Sequence, residues 1–211
     1  MTHAPCPARV VDLAHRRWTV PLLAQIQHAR VSHDSTGARL VGLIHRLGVT
    51  RQTLRQTLDY ATAHGWVIRN PGHGHPLRPE FILTEAGARV GPACERLWRT
   101  AVLLDLTEQI ARKWTLPVLR ALGDGPARFG ELKAALGPHG LTDRALSVSL
   151  RGLAEAGLVS RCVEPEHPPV VTYEATERAG PLLRAVARRR SPLATVRSRA
   201  PSDALPRCAR L

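Results

Sequence analysis

Arg51, Gln52, Arg55 and Gln56 stand in the run RQTLRQ, two arginine–glutamine pairs four positions apart. Four residues is about one turn of an α-helix, so on a helix these side chains share one stretch of surface. A guanidinium can donate two parallel N–H bonds to O6 and N7 of guanine, and a glutamine amide can bond N6 and N7 of adenine. The pattern therefore suits the reading of base edges. Leu54, Leu58 and Ala61 recur at helical spacing and predict the core-facing side of the same helix, which is expected to run from Thr50 to His64 and stop at Gly65.

Other residues extend this chemistry. Arg69, His73, His75 and Arg78 lie in and beside the loop NPGHGHPLRP, where they can meet phosphates. A second candidate helix, from Thr142 to Ala156, offers Arg144, Ser147 and Arg151, but mixes them with Asp143 and Val148. The loop after it, EPEHPP, carries Glu164 and Glu166, and carboxylates repel phosphates. The first basic face is thus expected to bind a polyanion more strongly than the second. His73 and His75 also raise a metal reading, but no third and fourth ligand stand at recognisable spacing, so no metal and no cofactor are expected. Cys6, Cys94, Cys162 and Cys208 form no CxxC pair, which argues against both a disulfide framework and a zinc ribbon. No nucleophile elbow, zincin helix, phosphate loop or dinucleotide fingerprint is present, so the chain is not expected to be an enzyme.

The elements that position these residues come in two copies. RRWTVPLL around Trp18 returns as RKWTLPVL around Trp114; LGVTRQTL at 47–54 lies over HGLTDRAL at 139–146; FILTEAG answers YEATERAG. The offset falls from 96 to 92, which places about four extra residues of the first copy in ARVSHDSTGARL. A repeat this long makes each copy a small domain rather than a solenoid unit. In each Trp-Thr-x-Pro phrase, Thr19 or Thr115 is expected to cap a helix. Pro21 or Pro117 then falls in its first turn, where a missing N–H costs no intrahelical bond. The second copy reads helix, helix, turn, helix, strand, loop, strand, helix, with short helices over VLRAL and FGELKAAL and strands over LVSRCV and VVTYEAT. The segment between the copies is expected to be one long helix after Pro92.

The totals agree. At 211 residues the chain has room for two domains of ordinary size, and 44% hydrophobic residues support real cores. The formal net charge is +13, and all but two of the cations are arginine, which fits bidentate contacts to phosphate and guanine. Double-stranded DNA is the expected partner. With no long apolar run and no signal-peptide pattern, a cytoplasmic protein without membrane association is expected.

In RKWTLPVLRALGDGPARFGELKAALGPHGLTDRALSVSLRGLAEAGLVSR, followed by YEATERAG, the chain resembles the HxlR-type winged helix-turn-helix transcriptional regulators, relatives of the MarR group. The first copy keeps CPARVVDLAHRRWTVPLL and LTEAG but has HDSTGARLVGLIHRLG where the second helix should be. The resemblance implies a mainly α fold with small β-hairpin wings: one winged helix at 6–100, a second at 101–190 and a basic tail at 191–211. Regulators of this type usually pair as homodimers of single winged helices. Two copies in one chain imply an intramolecular pseudo-dimer, with a homodimer of whole chains as the alternative. The resemblance also makes Cys6, 12 residues before Trp18, a candidate redox or electrophile sensor. Two other readings compete with a sequence-specific regulator. A winged-helix DNA repair glycosylase would need a catalytic carboxylate or glutamine pair in an apolar cleft. A small-molecule-binding resistance protein would hold an apolar effector in the groove between the copies, lined by Trp18, Trp66, Trp98 and Trp114.

Overall fold

The structure is a computed structural model that describes residues 7–33, 38–70, 79–164 and 170–186. The first half contains helices α1 (Pro7–Ala14), α2 (Thr19–Val31), α3 (Leu40–Leu47) and α4 (Arg51–Ala63), then strands β1 (Val67–Asn70) and β2 (Glu80–Leu83). Helix α5 (Glu85–Leu103) and the short α6 (Thr107–Ile110) lead into the second half. There α7 (Thr115–Leu122), β3 (Ala127–Arg128), α8 (Phe129–Leu136), α9 (Asp143–Glu155), β4 (Val159–Glu164), β5 (Val170–Ala175) and α10 (Gly180–Val186) follow in order. The fold is mainly helical, with two small antiparallel sheets of order β1-β2 and β3-β5-β4.

Equivalent contacts recur in both halves. Helices α4 and α9 begin where Thr50 Oγ1 accepts from Thr53 N (3.1 Å) and Thr142 Oγ1 accepts from Ala145 N (3.2 Å), so each hydroxyl satisfies a first-turn donor. Both helices end before a glycine in the left-handed region, Gly65 and Gly157, each at φ 67°. There a side chain would be strained and glycine is not. Thr84 Oγ1 donates to Gly65 O (2.5 Å), and Thr176 Oγ1 donates to Gly157 O (2.7 Å). Arg39 bridges to Glu80 as Arg128 pairs with Thr172.

Three expectations are corrected. Thr19 and Thr115 are not N-caps: the caps are Trp18 and Trp114, and each threonine is the first helical residue, buried with its neighbours. Packing overrides the capping preference here, and Thr19 Oγ1 has no hydrogen-bond partner. Pro21 and Pro117 still fall within the first turn, where no intrahelical N–H bond is lost. Second, the first half does have a counterpart of the FGELKAAL helix, namely α3, whose Leu43 and Leu47 are buried as Leu132 and Leu136 are in α8. The separation of matching residues runs 96 at Trp18/Trp114, 89 at Leu43/Leu132 and 92 at Thr50/Thr142. The first half thus carries seven extra residues ahead of α3, and the second regains three at the 3₁₀ turn Gly137–His139. Third, the connecting helix does not start after Pro92. Thr84 caps α5, which runs through Pro92 to Leu103 and breaks before α6, with Asp105 at φ 54°. The point between residues 100 and 101, expected to divide the copies, lies inside α5.

The halves interlock. Helix α5 packs on α2 and on α10, and α1 packs on α7. Arg17 forms an ion pair with Glu108, and Arg96 Nη2 lies 3.5 Å from Ala185 O. One cluster of buried side chains runs through both halves, from Val10, Leu22 and Leu54 to Leu119, Leu146 and Leu182. Among the described residues, no helix is long and apolar enough to cross a membrane.

Candidate nucleic-acid interface

Helix α4 presents Arg51, Gln52, Arg55 and Gln56 to solvent while Leu54, Leu58 and Ala61 are buried, together with Thr57. The first turn holds no acid. Its buried side rests on α2 and α3, which fix the direction in which the four polar residues project. Arg69 is exposed on β1, opposite Phe81 of β2. His73, His75 and Arg78 lie outside the described residues.

Helix α9 exposes Arg144, Ser147, Val148 and Arg151, with Leu146, Leu150 and Leu153 buried. Asp143 is also exposed, but the Lys133 ammonium lies 2.8 Å from its Oδ1 and donates to Leu141 O at 2.8 Å. The acid that set this face apart in the sequence is therefore met by a cation from α8. The side chain of Glu164, at the end of β4, and the whole of Glu166 lie outside the described set.

Arg112 and Lys113, at the joint before α7, line a hollow of about 200 Å³ beside α9 together with Trp114, Val148 and Gly152. Gly152 admits this approach, because a Cβ there would come within 2.8 Å of Arg112 Nη1. The matching joint before α2 is built differently. Arg16 lies over the Tyr60 ring at 5.3 Å, and Tyr60 contacts His15, His64 and Trp66. The Tyr60 hydroxyl donates to Asp12 O at 2.9 Å. Partial desolvation, with Lys113 and Arg16 nearby, lowers the pKa of the exposed His15 from its ordinary 6.5. Sequence reasoning missed this cluster. A signal existed, since Tyr60 and His64 align with Gly152 and Ala156 in the second half.

Two further hollows flank the first half. One of about 250 Å³ lies among Asp12, His64, Trp66 and Arg89. The other, about 460 Å³, is lined by Ile26, Ala29, Ala38, Phe81, Ile82 and Leu83 together with Arg30, His33 and Glu80. Trp66 and Trp114 are buried, and Trp18 and Trp98 partly so, in packing that needs no ligand. Cys94 is buried, and that burial pushes its thiol pKa up to about 12, whereas Cys162 is exposed. Cys6 lies outside the described residues.

Helices capped where they present Arg51, Gln52, Arg55 and Gln56 in α4 and Arg144, Ser147 and Arg151 in α9, each followed by an antiparallel hairpin, form the arrangement of a winged helix-turn-helix protein. A model of the HxlR-like helix-turn-helix family matches residues 109–189. An uncharacterized HTH-type transcriptional regulator of Synechocystis sp. PCC 6803, sll1512, is 33% identical over 100 residues, covering 47% of this chain and 70% of the relative. A second, BH0655 of Halalkalibacterium halodurans, is 41% identical over 75 residues, covering 35% of this chain and 65% of its own length. Among solved structures, a MarR-family transcriptional regulator of Enterococcus faecalis V583 is 38% identical, covers 42% of this chain and 77% of its own, and has a TM-score of 0.37. The chain belongs to the HxlR-like helix-turn-helix family and is a DNA-binding transcriptional regulator.

Proposed function

We propose that this protein is a sequence-specific regulator built as two winged helix-turn-helix units, about 6–100 and 101–190, folded against each other as an intramolecular pseudo-dimer on cytoplasmic DNA. The single observation that carries the reading is the exposed Arg51, Gln52, Arg55 and Gln56 face on the capped helix α4. The contacts of α5 with α10 and of α1 with α7 support the pseudo-dimer. Arg69, with His73, His75 and Arg78 in the first wing, is assigned to the phosphates; Arg144, Ser147 and Arg151 form the second face. The basic tail from residue 191 adds sequence-blind affinity. Charge reversal at Arg51 and Arg55 is expected to abolish specific binding in footprinting of the protein's own upstream region. Loss with Arg144 and Arg151 reversal alone, and none with the first pair, places reading in the second unit instead.

The hollow of about 460 Å³ between α2 and β2 favours, as a second reading, regulation by a small apolar effector. Its mostly aliphatic and aromatic lining suits such a molecule. A panel of apolar compounds is expected to raise the melting temperature of the wild type and not of a variant in which Ala29→Trp fills the space. Equal shifts in both proteins place the effector elsewhere.

A further inference from the structure

Position by position, the two reading helices carry different chemistry. Arg51, Gln52, Arg55 and Gln56 in α4 correspond, 92 residues on, to Asp143, Arg144, Ser147 and Val148 in α9. The scaffold beneath them is the same: a threonine cap, buried leucines at 54 and 58 matched by 146 and 150, and a glycine stop. The sharpest difference is at Gln56 and Val148. Val148 is 57% exposed, an aliphatic side chain on a face otherwise made of Arg144, Ser147 and Arg151. These four residues recur at spacings of three and four, so they line one side of the helix. In the major groove, an apolar side chain has one distinctive target, the C5-methyl group of thymine.

We propose, resting on the assignment of α4 and α9 as reading helices, that this chain recognises an operator with two unlike half-sites, and that Val148 selects thymine in the second. A homodimer of identical single units presents the same helix twice and so favours a palindrome. Here the two helices belong to one chain and differ at all four leading positions. The first half-site is specified by donors and amides, which suit guanine and adenine. The second combines Arg144 and Arg151, placed to hold guanine or phosphate, with a methyl contact from Val148. Duplex DNA is the occupant that the charge selects: the chain carries +13, and Lys133 already meets the acid at the start of α9.

The test uses the full chain. Duplexes selected from a random pool are expected to yield a non-palindromic consensus with a fixed thymine in one half. Replacing that thymine by deoxyuridine, which removes only the methyl group, is expected to weaken wild-type binding by about fourfold, the value of one buried methyl. The Val148→Ser variant, which replaces both methyl groups by a hydroxyl at an exposed site, is expected to bind both duplexes alike. A palindromic consensus overturns the proposal while leaving DNA reading intact. So does wild-type binding that ignores the loss of every thymine methyl, or a Val148→Ser variant that keeps the fourfold difference. If no sequence is enriched at all, the assignment of α4 and α9 as reading helices falls with it.

Discussion

Replacing Leu146 by alanine tests whether the two halves are one folding unit. Leu146 has no exposed surface and lies in a cluster that continues without a gap to Leu22 and Leu54 of the other half. Truncating a leucine at such a site removes its transfer free energy and leaves a cavity, at a cost of about 2.7–5.0 kcal/mol. In a chain of this size each kcal/mol lowers the melting temperature by roughly 2–4 °C, so the variant is expected to melt about 5–20 °C below the wild type. Because α1 packs on α7 and α5 on α10, the loss is shared by the whole molecule. Scanning calorimetry should therefore show one transition in both proteins, with calorimetric and van't Hoff enthalpies equal. Leu54→Ala, in the other half, should shift the same single transition by a similar amount. Two separable transitions, with each substitution moving only one, refute the shared core.

Two further outcomes follow from the titrating groups. Cys94, buried and held neutral with its pKa near 12, is expected to resist iodoacetamide at pH 8 in the native protein and to react once the chain is unfolded. Cys162 should react in both states, and peptide mass mapping that finds equal native labelling of the two contradicts the burial. His15 has a lowered pKa in the fold, so below its ordinary value of 6.5 the unfolded chain binds more protons and stability declines as pH falls. Denaturation midpoints measured from pH 7.5 down to 5 should fall less steeply for His15→Asn than for the wild type; an unchanged slope rules out this contribution.

Helices α4 and α9 were legible in the sequence because several signals coincide there. Leucines at helical spacing, a threonine cap and a terminal glycine all mark the same ends of α4 and α9. The Trp-Thr-x-Pro phrase misled by one position, since Thr19 serves the core and leaves Trp18 as the cap. Helix α3 was hidden by compensating length changes on its two sides, which broke the alignment with α8. Proline at 92 suggested a helix start, yet α5 continues through it. A proline inside a helix costs about 3 kcal/mol, and the packing of α5 on α2 and α10 offsets that cost in a way no local pattern records. Contacts such as Tyr60 to Asp12 and Lys133 to Asp143 join residues whose pairing depends on the assembled helices, so the chemistry of the faces was readable and their neutralisation was not.

Thr84 makes three bonds at once: its amide donates to Trp66 O, its hydroxyl donates to Gly65 O, and the same oxygen accepts from Gly87 N. It thereby rivets the end of α4, through the turn that follows it, to the start of α5, and Thr176 clasps Gly157 and Leu158 in the same manner. A helix riveted at its end to a second helix turns with it like the two arms of a bell crank. Contact between α5 and α10 thus joins the two clasps, and through them the ends of α4 and α9, into one series of packed elements. A displacement of α10 against α5 is therefore expected to reach the exposed faces of α4 and α9 through these two threonine clasps.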